Sequence, residues 1–449
     1  MDKEYLKKAA KETIWYPFTQ MRDYTASDPI IIERGEGVYL YDIDGKRYID
    51  GNSSLWVNLH GHSVPELNDA IIQQVKKIEH ATLLGLTSVP AVTLAERLLH
   101  VAPQHFSRVF YSDNGSTAVE VALKMSYQYH VHNGHPERTN FIKLKNSYHG
   151  DTLGAVSVGG CDIFHKTFRP LMFETLEAPS PYIYRHRYSD NPKRAIETLI
   201  QDFAAVVQEH ADTISGCIVE PLIQGAGGFI IYPADYLHGI AKICRRYGIH
   251  LIFDEVFTGF GRTGKLFAED IVQVQPDILA CSKGITAGYM PLAVTFATEE
   301  LYSAFLGRYE DFKTFFHGHS YTGNALACAV AVANLEYMEN NAVLDHVQRR
   351  MLHLEKLMKP FWNLPYVGDV RTLGLLAAVE LVTDRTTKTP PAPPSKIKYN
   401  IAEAAAQRGA IIRPNGNVVN IVPPLSITDE QLTELVSIMH DAIVTVMES

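Results

Sequence analysis

Short β-branched or aromatic runs alternate with helix-period stretches through most of the chain. The runs Arg108–Tyr111, Phe141–Leu144, Gly216–Glu220, His250–Asp254, Ile278–Cys281 and Leu292–Phe296 end in Gly, Asp or Asn, or close to them, and read as strands. Between several of them lie Ser116–Tyr129, Pro192–Glu209 and Ala234–Tyr247, with helical spacing. Pro192 suits a first helical turn, where a missing N–H costs nothing. This alternation predicts parallel βαβ units with helices on both sheet faces, an α/β fold with a mostly parallel sheet.

The flanks follow another pattern. Residues 31–50 read as a meander, with Asp44-Gly45 as a tight hairpin turn. Towards the C-terminus the pattern predicts a helix over Val343–Met358, strands near Asp369–Leu381 and Gly409–Pro414, and a last helix from Asp429. TKTPPAPPSK (Thr387–Lys396) reads as a surface excursion, because structured patterns resume on both sides. The expected division is a large domain over residues 65–336. A smaller α+β domain is built from residues 1–64 and 337–449.

Composition narrows the function classes. Among 449 residues, 46% are hydrophobic and 20% charged, which excludes a disordered chain, a collagen or a coiled-coil rod. Lys+Arg 41 against Asp+Glu 50 gives −9, so nucleic acid is not the expected partner. The five cysteines are widely spaced and form no C-x-x-C, which fits buried thiols in a reducing compartment. Met1–Lys11 is charged, without the apolar stretch of a signal peptide. The longest apolar run, Ala325–Ala333, is too short to span a bilayer. A cytoplasmic enzyme without a membrane partner is expected.

Several segments carry candidate chemistry. Gly259–Leu266, GFGRTGKL, fits G-x-x-x-x-G-K, but Leu266 stands where a Walker A loop needs Ser or Thr, so a Gly-rich turn is expected. His60/His62, His317/His319 and His130/His132/His135 cluster without carboxylate or Cys company. Loop or surface roles are expected for them, and no metal. After the strand ending at Tyr111, Ser112–Ser116 leads into a helix, whose free N–H groups would suit a phosphate or merely be capped. Asp254 ends an apolar strand, as a ligand-binding or a capping carboxylate. Lys283 follows another buried strand, where burial would lower its pKa and make it a nucleophile or base. Together the three suit pyridoxal phosphate, which needs a phosphate anchor, an acid beside its ring nitrogen and an amine for its aldehyde.

Over nearly its whole length the chain resembles the fold-type I, class III (ω-) aminotransferases. The resemblance rests on IVEPLIQGAGG (Ile218–Gly228), LIFDEVFTGFGRTGKLFA (Leu251–Ala268), SKGITAGYMPLA and HGHSYTGNALACA (His317–Ala329). WYPFTQM (Trp15–Met21), DGNSSLWVNLHGH (Asp50–His62), NSYHGDT (Asn146–Thr152) and RPNGNVVNIVPPLSIT (Arg413–Thr428) resemble members of biotin biosynthesis that aminate 8-amino-7-oxononanoate.

The resemblance implies that Lys283 forms a Schiff base with the cofactor and later moves the substrate proton. Asp254 would keep the pyridine nitrogen protonated and Tyr148 would stack on the ring. Gly115 and Ser116 would bind the phosphate. Ser320, with His319, would reach the phosphate of a neighbouring subunit in a homodimer. Trp56 and the backbone of Gly318 would meet substrate, and Arg413 would pair with its carboxylate. Arg262 would orient the region beside Asp254, and Glu220 would gate the donor. The small-molecule partners are an amino donor and a keto acceptor.

Many relatives carry Tyr at the position of Phe18 and Trp at that of Leu55, beside the site for S-adenosylmethionine. A sulfonium with an adenine favours aromatic faces and a hydroxyl partner. Their loss at Phe18 and Leu55 makes L-lysine, used by some members, the expected donor. The competing readings are another ω-aminotransferase (for ornithine, 4-aminobutyrate or a polyamine), a decarboxylase or aminomutase with the same cofactor, and a P-loop protein.

Overall fold

The computed structural model describes residues 2–448. A seven-stranded sheet organises the large domain. Its order is Phe106–Ser112, Ala293–Thr298, Ile278–Cys281, His250–Asp254, Ile214–Val219, Asn140–Leu144, Leu176–Ala178. The pairs among the last five of these strands are parallel. The central runs Ile214–Val219, His250–Asp254 and Ile278–Cys281 are buried almost throughout, as a sheet covered on both faces requires.

One strand departs from the expected βαβ rule. Ala293–Thr298 runs antiparallel to both of its neighbours. The segment 282–292 before it holds only the 3-10 turn Lys283–Thr286. A parallel crossover needs a dozen or more residues and usually a helix, so this link can only reverse the chain.

The helix Gly115–His132 starts at a capping box, in which Asn114 accepts the Thr117 N–H and the Thr117 hydroxyl oxygen accepts the Asn114 N–H. Its Ala118, Val119 and Ala122 are buried with sheet residues Ile218, Ile252 and Ala280 in one cluster. The helix Ala234–Tyr247 stops at Gly248, whose φ of 64° gives the left-handed cap that glycine adopts without strain.

The two chain ends share a sheet. The meander Ile32–Glu36, Tyr39–Asp42, Arg47–Asp50 is extended by Ala410–Ile411, which pairs parallel with Arg47–Asp50. A second sheet joins Val367–Thr372, Ala377–Leu381 and Val418–Ile421. The helices Val343–Met358 and Asp429–Met447 complete this part. The Pro-rich segment lies on the surface, where the Lys388 ammonium donates to Ser189 Oγ (2.8 Å) and to the Tyr184 carbonyl.

His60 lies in a loop as expected, but neither it nor His130 is a surface residue. His60 is buried, with Nε2 2.7 Å from Asn334 Oδ1. His130 is buried too, stacked on His250 and bonded through Nε2 to the Ser215 carbonyl. Each ring fills core space and satisfies one polar atom locally, which spacing along the chain does not show. Among the described residues no group of three or more His, Cys, Asp or Glu is arranged to hold a metal ion. All five cysteines are free and buried. No helix among the described residues is long and apolar enough to cross a membrane.

Candidate active site

A cavity of about 1210 Å³ opens at the C-terminal ends of the parallel strands, the edge where open α/β sheets bind ligands. Single-ligand pockets usually measure ~300–1,000 Å³, so this one has room for a cofactor and a substrate together.

Asp254, at the end of its strand, is 5% exposed. Its Oδ2 lies 2.7 Å from His149 Nδ1 and its Oδ1 accepts the Val256 N–H at 3.0 Å. The other ring nitrogen of His149 is buried without a partner among the described residues, so the carboxylate supplies the hydrogen bond that orients the ring. Glu220 accepts N–H groups from Tyr148 (3.0 Å) and Gly225 (2.8 Å). Burial pushes its carboxyl up to about 7, against an ordinary value near 4.3.

Lys283 follows the strand Ile278–Cys281 and takes a φ of 48°, sparsely populated by non-glycine residues. Its Nζ sits 4.9 Å from the Trp56 ring centre and 5.6 Å from that of Phe257. Burial lowers its pKa below the ordinary lysine value, against the opposing pull of Asp254 and Glu220. A buried amine is closer to neutral, the form that attacks a carbonyl or takes a proton.

Gly115 and Ser116 open the helix beneath the cavity. Their N–H groups belong to the first turn, which has no intrahelical partners. A Cβ on Gly115 would lie 2.6 Å from Val256 Cγ1, and one on Gly150 would lie 2.0 Å from Ser116 Oγ. Both glycines therefore permit the close approach of this loop to Val256 and to Gly150. Ser116 Oγ accepts the Asp151 N–H at 3.1 Å, leaving its own hydrogen for a ligand. Tyr148 donates to Asp151 Oδ2 at 2.7 Å and lies almost parallel to the His165 ring, at 14°.

Towards the mouth stand Phe18, Leu55 and Arg413. Phe18 meets Phe164 edge-on at 5.5 Å, and Phe164 meets Tyr148 at 5.9 Å. Arg413 approaches the Phe18 ring at 6.0 Å.

The cavity thus gathers Lys283, Asp254, Tyr148, Gly115, Ser116, Phe18, Leu55, Trp56, Glu220 and Arg413. It does not gather Gly318, His319 and Ser320 from the same chain. His319 instead pairs with Asp113 at 2.6 Å, and the Ser320 carbonyl accepts from His80. Arg262 is fully buried away from the cavity and donates to the Pro423 carbonyl at 2.6 Å. It ties the Gly-rich loop to the C-terminal part of the chain. Sequence reasoning missed His149 as a functional candidate. It sits inside the quoted NSYHGDT, but its partner lies 105 positions away, so no local spacing reports the pair.

A family model described as "Aminotransferase class-III" matches residues 21–443. The chain belongs to the class III aminotransferases. It is 48% identical over 446 residues to the adenosylmethionine-8-amino-7-oxononanoate aminotransferase of Geobacter sulfurreducens, covering 99% of this chain and 98% of that one. The crystal structure of the protein of that name from Methanocaldococcus jannaschii superposes with a TM-score of 0.94 at 44% identity, covering 99% of both chains. The ω-transaminase of Pseudomonas jessenii in complex with PMP gives 0.95 at 31% identity, covering 99% and 98%. The protein is a transaminase of the fold-type I architecture, and class III aminotransferases use pyridoxal phosphate. The cavity suits that cofactor: a buried amine without a hydrogen-bond partner among the described residues, a histidine-braced carboxylate and free helix N–H groups line one space.

Proposed function

We propose that the protein transfers an amino group to 8-amino-7-oxononanoate, giving 7,8-diaminononanoate in biotin biosynthesis, with L-lysine as donor. The observation that carries this reading is one cavity holding both Lys283 and Arg413, whose guanidinium makes no hydrogen bond or ion pair among the described residues. An amine centre and an unpaired guanidinium match a chain with a reacting carbon at one end and a carboxylate at the other. The names of full-length relatives support the acceptor.

Pyridoxal phosphate, when bound, supplies an aldehyde for the substrate amine and a ring that draws electrons from the substrate carbon. Lys283 would hold its aldehyde, Asp254 its ring nitrogen, and Gly115 with Ser116 its phosphate. His149 holds Asp254 in place, and Tyr148 would cover the cofactor's ring. Once displaced, Lys283 Nζ takes the proton from the substrate carbon and returns it, a task suited to an amine whose pKa burial has lowered. Trp56 and Phe257 exclude water around that nitrogen. Glu220, held by two N–H groups, gates the donor. Two half-reactions then share one cavity.

The relatives' names give adenosylmethionine as donor. Phe18 and Leu55 at the mouth supply neither a hydroxyl nor an indole for that cation, and this favours lysine. The division into residues 65–336 and a smaller domain from residues 1–64 and 337–449 belongs to the same reading, as does a cytoplasmic homodimer. In that dimer Gly318, His319 and Ser320 would complete the partner's site. Exposed Leu84, Val89, Tyr309 and Phe316 supply apolar surface around that segment.

A donor screen with 8-amino-7-oxononanoate as fixed acceptor tests the proposal. Formation of 7,8-diaminononanoate with lysine is expected. Conversion with adenosylmethionine but not lysine rejects the donor, and no conversion with any donor rejects the acceptor. ω-Transaminases at 31% identity share the fold, so an alternative amine specificity is the second reading. Rescue of a biotin auxotroph decides between them.

A further inference from the structure

Four carboxylates line the cavity: Asp113, Asp151, Glu220 and Asp254. Each is engaged, by His319, by the Tyr148 hydroxyl, by two backbone N–H groups and by His149 respectively. The cationic side chains of Lys and Arg lining it are Lys283, Arg413 and Lys398. Lys283 belongs to the reaction centre. Lys398 is assigned nothing by the reading above. It is half-buried, its Nζ stands 4.7 Å from the Tyr399 ring centre, and it pairs with no carboxylate among the described residues.

Its position is built. Lys398 lies in the first turn of the helix Ile397–Gln407, directly after the Pro-rich segment. Lys396, two residues earlier, pairs with Asp23 at 3.0 Å. Asp23 sits in the helix Met21–Ala26, just beyond Phe18 and Gln20, which line the same cavity. The Pro-rich excursion thereby returns to the N-terminal segment at the cavity wall and delivers one more ammonium to the lining. Arg413 and Lys398 both line this cavity and pair with no carboxylate among the described residues, so each is a local positive point that attracts an anionic group on a ligand.

We propose that Lys398 is a second carboxylate-recognising residue of the substrate site, acting beside Arg413 and selecting amines that carry a distal carboxylate. Arg413 supplies a planar fork that fixes orientation, whereas Lys398 supplies a mobile point charge that adds attraction with little geometric demand. The proposal rests on the ω-aminotransferase reading but not on the identity of the acceptor.

The test uses the holoenzyme and two amines of equal length, 8-aminooctanoate and octylamine, followed through the cofactor absorbance. The unmodified enzyme is expected to bind the carboxylate-bearing amine more tightly. Lys398→Met should reduce that preference about two- to fivefold, the size of a partly exposed charge contact. Octylamine binding and the rate at saturation should not move, and Lys398→Arg should restore the preference. The preference should also shrink at high salt, through screening. An unchanged preference in Lys398→Met, an equal loss for octylamine, or no carboxylate preference in the unmodified enzyme would overturn the proposal. Failure to convert 8-amino-7-oxononanoate with carboxylate preference intact would reject the acceptor and leave the role of Lys398 standing.

Discussion

At the scale of single residues, the chemistry depends on what surrounds each group. Lys283 is an ordinary lysine in composition, but burial shifts it towards the neutral amine. Asp254 depends on His149, whose remaining nitrogen has no partner to compete for it. Removing one partner of a charge-assisted bond costs about 1.5–3 kcal/mol, or roughly ten- to a hundredfold in rate if the interaction matters in the transition state. His149→Phe is therefore expected to lower kcat by about that factor with KM for the amine little changed, as steady-state kinetics will check. An unchanged kcat would show that the histidine only fills space.

At the scale of elements, the Gly-rich loop shows why a sequence match misleads. The carboxylate of Glu255 brackets GFGRTGKL. Glu255 accepts N–H groups from Ala268 and Glu269 and the Thr258 hydroxyl. Arg262 fastens the same loop to the Pro423 carbonyl. Beneath it Glu269 is 5% exposed, with Oε2 unpartnered. Burial pushes Glu269 up to about 9, and nearby Glu255 adds to the shift. His105 donates through Nε2 to the Pro276 carbonyl, so its Nδ1 lone pair faces this carboxyl at 3.6 Å. A proton held more tightly in the folded state, to about 9 against ~4.3 unfolded, makes stability fall as pH rises through that interval. Glu269→Gln fixes the neutral form. Its melting temperature should exceed the parent's at pH 9, with the gap closing near pH 5; a gap independent of pH would refute the argument.

At the scale of the whole molecule, the cavity is assembled from distant stretches of the chain. Phe18 and Leu55 come from the N-terminal part, Lys283 and Asp254 from the large sheet, and Arg413 from the C-terminal part. The parallel pairing of Arg47–Asp50 with Ala410–Ile411 joins the two ends, so the mouth depends on both. Ser320 does not line its own cavity, and its segment is preceded by exposed Tyr309 and Phe316, 93% and 79% accessible. If a partner covers these side chains, Phe316→Glu buries a charge and opposes assembly. The variant is expected to sediment largely as monomer and to hold the cofactor roughly tenfold more weakly. A fully dimeric Phe316→Glu would place the interface elsewhere.

The sequence by itself determined the alternation of strands and helices, because burial on both sheet faces demands apolar runs and helix caps demand particular residues. His250–Asp254, Ala234–Tyr247 and Val343–Met358 were legible to the residue for this reason. The places of Asp254, Lys283 and the loop Ser112–Ser116 were legible too, since each sits where a regular element ends. Only the tertiary structure decided the reversed strand Ala293–Thr298, the buried places of His60 and His130, and the His149–Asp254 pair. It also brought Lys398 to the same cavity as Arg413. Each of these joins residues far apart in the chain, through packing and charge that local spacing does not record.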